Sequence, residues 1–99
     1  MLNNLVDKIE KWGHDRMITV HGNPMSQAIK TLEETTELLD AINTGNTDMI
    51  KDAVGDIFVT LVMVCGTANV NLTECIELAY DEIKDRRGYL RADGTFMKL

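Results

Sequence analysis

Acidic residues concentrate in two short stretches of the chain, where their spacing could serve metal binding. The first stretch, "EETTELLD", contains the acids Glu33, Glu34, Glu37 and Asp40. The second stretch, "DAVGD", begins at Asp52 and ends at Asp56. Residues three or four apart share one face of a helix, so each stretch would present its carboxylates as a group. Oxygen ligands without histidine favour Mg²⁺ or Mn²⁺ over zinc.

Taken alone, the first stretch is typical of a helix face in contact with water. The second stretch favours a different interpretation, because the chain becomes almost wholly apolar directly after Asp56. A carboxylate entering a buried region needs a partner, since an unpaired buried charge costs on the order of several kcal/mol. A divalent cation shared between two antiparallel helices would supply that partner. We therefore expect a metal site made of Glu34, Glu37, Asp52 and Asp56, with Asp40 left at the surface.

Helices must position these carboxylates, since apolar residues recur at helical spacing along most of the chain. The Asn-Pro pair at 23–24 predicts the start of one helix, and Gly45 predicts its end. Thr73 is the expected N-cap of the last helix, and Arg86 and Arg87 are expected in its final turn. The fold class predicted is all-α, with four helices over about 2–13, 25–43, 48–68 and 74–87, a loop at 16–24 and a tail at 89–99.

The third predicted helix, capped by Asn46 or Thr47, is apolar on nearly every side over residues 57–65. A helix that is apolar all round must be buried all round, and three short neighbours cannot enclose it. We therefore expect a four-helix bundle completed by oligomerisation, as a homodimer or homotetramer. In the fourth helix the residues expected to face inward are Ile76, Ala79, Tyr80 and Ile83.

Size and charge exclude several classes of protein. A chain of 99 residues is expected to be one domain spanning 1–99. Its net charge of -6 excludes a nucleic-acid backbone as partner, because that partner requires a basic surface. The apolar run at 57–65 is too short for a transmembrane helix of about 20 residues. With no signal peptide recognisable, we expect a cytoplasmic protein with no membrane partner.

Two motifs and their order carry a resemblance to a known family. "EETTE" (33–37) matches an EExxE motif, and "DAVGD" (52–56) occupies the position of a second acidic motif written ExxD. The Gly-Asp pair enters an apolar helix, and "EIKDRRG" (82–88) closes the pattern. In this ordered combination the chain resembles the MazG-like all-α nucleoside triphosphate pyrophosphohydrolases, and in particular their short phage-type members.

The resemblance implies Mg²⁺-dependent hydrolysis of a (deoxy)nucleoside triphosphate to the monophosphate and pyrophosphate, as house-cleaning or control of the nucleotide pool. It implies metal ligands at Glu34, Glu37 and Asp56, and it makes Glu33 the candidate that orients or deprotonates the attacking water. Lys30, one turn before Glu34, is expected from its position to contact a phosphate oxygen. The family is typically dimeric or tetrameric, with pockets built across subunits.

The resemblance also marks basic residues and two departures from the family pattern. The basic residues that resemble phosphate-neutralising positions are Lys84, Arg87 and Lys98. Ala53 replaces the Glu of ExxD, so Asp52 is expected to supply the missing oxygen. Asp81 stands where related sequences often have Asn, and we expect it near the substrate.

Two alternatives remain open on the sequence. Trp12 could stack on a nucleobase, or it could be a partly buried packing residue at the end of its helix. The whole chain could also be a non-catalytic helical dimer that binds a nucleotide or a protein partner. Ala53 favours this second interpretation, because it removes a carboxylate from the acidic motif.

Overall fold

The computed structural model describes residues 1–99, which form five helices and a short β-hairpin. The helices are α1 (Leu2–Asp15), α2 (Ile18–His21), α3 (Pro24–Thr44), α4 (Thr47–Ala68) and α5 (Leu72–Ile83), and the antiparallel strands are β1 (Gly88–Leu90) and β2 (Phe96–Lys98). The prediction of an all-α fold is confirmed, with the hairpin as an addition at the C-terminus. Taken singly, none of the helices is both long enough and apolar enough to cross a membrane.

Asparagine side chains define where the last three helices, α3, α4 and α5, begin. Asn23, Asn46 and Asn71 each accept a hydrogen bond from the backbone N–H three residues later, at 2.8, 3.1 and 3.0 Å. Each bond satisfies one of the N–H groups that a helix leaves unpaired at its start. Gly45 ends α3 in the left-handed conformation, at φ 70°, which glycine adopts without steric cost. The turn at Gly45 and Asn46 therefore returns the chain directly into α4.

The packing of α3 against α4 forms the centre of the molecule, and α1 and α2 pack against α4. Helices joined by so short a turn pack as antiparallel neighbours. Small residues allow the close approach, since Ala41 of α3 and Ala53 of α4 are both buried. Val62 and Met63, further along α4, are the largest fully buried side chains.

Met63 also explains why α1 carries a glycine near its end. Gly13 is buried, and a Cβ atom at this position would collide with the sulfur and terminal methyl of Met63. The absence of a side chain at Gly13 therefore lets α1 lie directly against the buried thioether of α4. This contact brings Trp12, the preceding residue, towards the α3–α4 pair.

The C-terminal part of the chain leaves the bundle. Helix α5 is bent by 110° relative to α4 and contributes no buried residue. The expectation that its apolar residues face inward is wrong within one chain, because Ile76, Tyr80 and Ile83 are each more than half exposed. We call α5 and the hairpin together the C-terminal arm (residues 72–98).

Several predicted boundaries are wrong for identifiable reasons. The predicted loop 16–24 contains the single turn α2, which follows a left-handed Met17, a residue type that rarely signals such a conformation. Asn71, rather than Thr73, caps α5, because the helix begins at Leu72 and the side-chain oxygen of Asn71 accepts a hydrogen bond from the N–H of Glu74. The helix also ends at Ile83, so Arg86 and Arg87 follow it.

Apolar side chains cover much of the outer surface. Only 6 of the 99 residues are buried, so a single chain encloses little core. The exposed apolar residues on the two central helices include Ile29, Leu32, Leu39, Val54 and Leu61. A surface of this kind is typical of an interface between proteins. Completion of the bundle by oligomerisation stays a prediction.

The assignment of Asn46 as the cap of α4 makes a testable distinction from its neighbour Thr47. Asn46→Ala removes the acceptor for the Met49 N–H and should lower the free energy of unfolding by about 1 kcal/mol. Thr47→Ala removes a hydroxyl without a capping hydrogen bond and should change it by less than about 0.5 kcal/mol. Urea denaturation at matched protein concentration measures both. Equal losses in the two variants would contradict the assignment.

Candidate metal centre

Three carboxylates from the two central helices converge on one point. Glu34, Glu37 and Asp56 each offer an oxygen, and these oxygens lie within 4.8 Å of one another. Glu34 and Glu37 occupy successive turns of α3, and Asp56 lies on the facing side of α4. The antiparallel packing of α3 and α4 thus brings together residues that are about twenty positions apart in the chain.

The electrostatics of this cluster oppose full ionisation in the metal-free protein. The pKa of Glu34 is raised chiefly by a hydrogen bond shared with Glu37, then by partial burial and the negative charges of Glu37 and Asp56. The pKa of Asp56 is raised mainly by burial, and further by the charges of Asp52 and Glu37. Like charges at close range in a partly buried site disfavour the ionised forms.

One atom of the cluster lacks a partner altogether. Glu34 Oε2 is buried without a hydrogen bond. A hydrogen bond between the Glu34 and Glu37 carboxyls requires a proton on one of them. When both carboxyls are ionised, neither can donate, and Glu34 Oε2 has no donor. A buried acceptor without a donor is unfavourable. A divalent cation would supply a positive partner, and three carboxylate oxygens with no nitrogen or sulfur ligand are the donor set that Mg²⁺ and Mn²⁺ prefer.

Asp52 lies beside this cluster without joining it. It is exposed one turn before Asp56, and its oxygens are outside the group formed by the other three carboxylates. With Glu37 and Asp40 it lines a neighbouring depression of about 300 Å³. Asp40 is exposed, in agreement with its expected surface position. Ala53 is buried at the contact with α3 and is therefore part of the helix packing.

A cleft of about 280 Å³ opens next to the cluster. Glu34 and Asp56 line it, together with Lys30 and Gln27 of α3 and Trp12 of α1. The cleft thus combines carboxylates, one cation and one aromatic ring, which are the groups needed to hold a metal, a phosphate and a base. Its walls come from four helices, since Ile18 of α2 also lines it, so its shape depends on how α1 and α2 lie against the central pair.

Two charged residues predicted for the site are paired with each other. Lys30 Nζ lies 3.3 Å from a carboxylate oxygen of Glu33, and both side chains are more than half exposed. Glu33 does not line the cleft, whereas Lys30 does. An exposed pair of this kind is weak and exchanges readily with solvent, so both groups can take new partners.

Trp12 carries a neighbour that the sequence analysis did not identify. The guanidinium of Arg16 lies 4.6 Å from the centre of the indole ring. Arg16 caps the C-terminus of α1, and its spacing of four residues from Trp12 is the sequence signal that could have predicted this cation–π contact. Thr60 of α4, which also lines the cleft, was equally missed.

The basic residues of the C-terminal arm lie away from the cleft of their own chain. Lys84 donates to the carboxylate of Asp81 at 3.2 Å. Arg87 and Lys98 are exposed, and none of these residues lines the cleft beside Glu34. One chain alone therefore brings Lys30 to the cleft but not the predicted phosphate-neutralising residues of the C-terminal arm.

Comparison with known proteins gives two findings. Residues 23–89 match the MazG nucleotide pyrophosphohydrolase domain, and this range includes both acidic motifs. A relative from Haemophilus phage HP1, described as an uncharacterised 18.2 kDa protein in the rep-hol intergenic region, is 38% identical over 63 residues. The aligned part is 64% of this chain and 39% of that relative, so the chain spans well under half of it. No solved structure matches the chain significantly.

The crowded carboxylates predict how stability depends on pH. Groups whose pKa is raised in the folded state stabilise it at low pH, and this contribution is lost as pH rises through the raised pKa values. In EDTA, the melting temperature of Glu37→Gln should therefore be close to that of wild type near pH 4 and higher than that of wild type at pH 7.

A matched control and a metal titration complete this test. Asp7→Asn removes an exposed carboxylate of α1 without an ion-pair partner, and should show no such pH-dependent difference. Added Mg²⁺ should raise the melting temperature of wild type more than that of Glu37→Gln. If Glu37→Gln melts below wild type at pH 7 in EDTA, the carboxylates do not repel one another as described.

Proposed function

Since the chain belongs to the MazG nucleotide pyrophosphohydrolase family, we propose that it hydrolyses a (deoxy)nucleoside triphosphate between the α and β phosphates. The products would be the nucleoside monophosphate and pyrophosphate. The observation that supports this most directly is the convergence of Glu34, Glu37 and Asp56, one of which, Glu34, has a buried oxygen without a partner. A polyphosphate is anionic and this protein is acidic, so a cation has to lie between them.

The carboxylates would hold Mg²⁺, with Mn²⁺ as a substitute. Glu34, Glu37 and Asp56 are the proposed ligands, and Asp52 contributes from one turn away. When bound, the metal would polarise a phosphoryl group and lower the pKa of a water molecule. The chain's own contribution is to fix the direction of the ligand oxygens and to keep part of the site out of water.

Other residues would bind and orient the nucleotide. Lys30 lines the cleft and would contact a phosphate oxygen once its exposed pair with Glu33 opens. Glu33, released from Lys30, would orient the attacking water or accept its proton. Trp12 forms one wall of the cleft and would stack on the base, with Arg16 holding the indole in place.

The C-terminal arm would serve a second copy of the chain. In a homodimer or homotetramer the exposed apolar faces of α3, α4 and α5 would be covered. Lys84, Arg87 and Lys98, with Asp81 beside Lys84, could then reach the cleft of a neighbouring subunit. The site would be incomplete in one chain alone.

The activity is tested by incubating the purified protein with mixed dNTPs and Mg²⁺ and following the products by phosphorus NMR. We expect pyrophosphate and monophosphates, and a loss of at least about a hundredfold in rate for Glu37→Gln and Asp56→Asn, because each loses a metal ligand. Asp7→Asn should keep full activity. Nucleoside diphosphate with orthophosphate would place the cleavage elsewhere, and no product with either Mg²⁺ or Mn²⁺ would favour a non-catalytic helical dimer.

The shared site is tested by mixing two inactive variants. Glu37→Gln lacks a proposed metal ligand, and the double variant Lys84→Ala/Arg87→Ala lacks two of the three basic residues proposed to bind phosphate. If the arm completes a neighbour's cleft, unfolding the two together and refolding them should restore part of the activity, because some mixed assemblies contain one intact site. Recovery is measured against each variant refolded alone. Activity that stays absent in mixed assemblies shown by mass spectrometry to form would contradict a site shared between subunits.

A further inference from the structure

A single polar link between side chains joins the two helices that carry the carboxylates. Thr31 of α3 donates a hydrogen bond to Thr60 of α4, with 2.8 Å between the two hydroxyl oxygens. No other hydrogen bond or ion pair between side chains links α3 to α4. The Thr31–Thr60 bond is therefore the only directional side-chain contact between these two helices.

The bond belongs to a short chain of donors with a defined direction. Thr60 donates its own proton to the carbonyl of Ile57 at 2.7 Å, so it accepts from Thr31. Thr31 also lies 3.1 Å from the carbonyl of Gln27, on the preceding turn of its own helix. Each hydroxyl thus retains an acceptor within its own helix when the bond between the helices is absent.

Stability alone does not account for this pair. Thr60 is only 7% exposed, and valine has nearly the same shape with no polar atom to bury. Replacing both partners of a buried hydrogen bond by apolar groups of the same shape is often nearly neutral. A buried polar contact instead adds direction to a seam of apolar side chains, which would otherwise permit several helix arrangements.

The position of the link relates it to the acidic cluster. Thr31 precedes Glu34 by three residues, and Thr60 follows Asp56 by four, so each threonine lies on the same face as a carboxylate and one turn away. Because α3 and α4 are antiparallel, both threonines lie on the same side of the cluster. Thr60 also lines the cleft together with Glu34 and Asp56.

A small rotation at this seam would change the cluster strongly. A carboxylate lies about 5–6 Å from its helix axis, so turning one helix by about 20° moves it by about 2 Å. Mg²⁺ requires near-ideal octahedral geometry at about 2.0–2.1 Å. An error of this size would therefore remove a ligand from the coordination sphere.

We infer that Thr31 and Thr60 form a positioning pair, which fixes the rotation of α3 against α4 and thereby the spacing of Glu34, Glu37 and Asp56. The inference rests on the proposed function of these carboxylates as a metal site. Neither hydroxyl belongs to the carboxylate cluster, and we infer that both act through the helices that carry the ligands.

The test measures binding of Mn²⁺ alone, from the electron paramagnetic resonance signal of the free ion, to the full chain. Thr60→Val should weaken Mn²⁺ binding by about tenfold, as is typical when groups that orient metal ligands are lost. Thr60→Ser keeps the hydroxyl and should bind like wild type. Thr31→Val should match Thr60→Val, and the double variant should be no weaker than either, because all three lack the same bond.

Thr67→Val provides the matched control for fold and composition. The Thr67 hydroxyl bonds only to carbonyls of its own helix, those of Met63 and Val64, at 2.9 and 3.1 Å. Thr67→Val should therefore bind Mn²⁺ like wild type. The melting temperature of every variant in EDTA should stay within a few degrees of that of wild type. If Thr67→Val binds Mn²⁺ as weakly as Thr60→Val does, the loss is a general effect of changing α4, and the role of the Thr31–Thr60 pair is overturned.

The remaining outcomes separate this inference from the proposed function. If wild type binds Mn²⁺ and Thr60→Val binds it equally well, the positioning pair is overturned and the metal site is retained. No binding of Mn²⁺ by wild type would overturn the metal site and the positioning pair together. Weak binding by Thr60→Ser, despite its hydroxyl, would assign the effect to the lost methyl group and also overturn the inference.

Discussion

The contact between α3 and α4 is the interaction on which the rest of the molecule depends. It is the most extensive contact between helices in the chain, and Ala41 and Ala53 are buried on its two helices. Helix α1 then packs against α4 through Gly13, which brings Trp12 to the edge of the central pair. The carboxylate cluster, the cleft and its aromatic wall are therefore all consequences of one antiparallel pair.

This pair carries an electrostatic cost at its centre. Burial and neighbouring charge raise the pKa of Glu34 and of Asp56, and one oxygen of Glu34 has no partner. A sequence selected for stability alone would not place three carboxylates there, since like charges in a partly buried site destabilise the fold. The same crowding provides a cation with ligands that are already oriented. The crowded carboxylates therefore destabilise the metal-free fold, and a bound metal would restore that stability.

Much of the central pair could be predicted from the sequence, because its signals are local. The Asn-Pro pair at 23–24 and the turn at Gly45 and Asn46 mark the ends of α3 and the start of α4 through capping chemistry alone. The spacing of the acids also predicted that two helix faces would meet. It did not separate Asp52 from Asp56, since residues on one stripe differ in their distance from a neighbouring helix, and that distance depends on where the helices cross.

The C-terminal arm could not be predicted in the same way. Its amphipathic pattern indicated an inward face for α5, yet Ile76 and Tyr80 are more than half exposed. A periodic pattern shows that a face needs covering and does not show what covers it. The single turn α2 was missed because four residues are too few to show a helical period. Arg16 and the Thr31–Thr60 bond were missed because contacts between individual side chains depend on the completed packing.

The central claim is that Glu34, Glu37 and Asp56 bind the divalent cation that holds the substrate. A crystal structure of the protein with Mn²⁺ and a triphosphate whose α,β-bridging oxygen is replaced by a non-hydrolysable group tests it most directly. Anomalous scattering would locate the Mn²⁺. We expect the Mn²⁺ peak within bonding distance of oxygens from these three residues, with phosphate oxygens completing its coordination beside Lys30. A nucleotide bound with no Mn²⁺ at these carboxylates would contradict the claim.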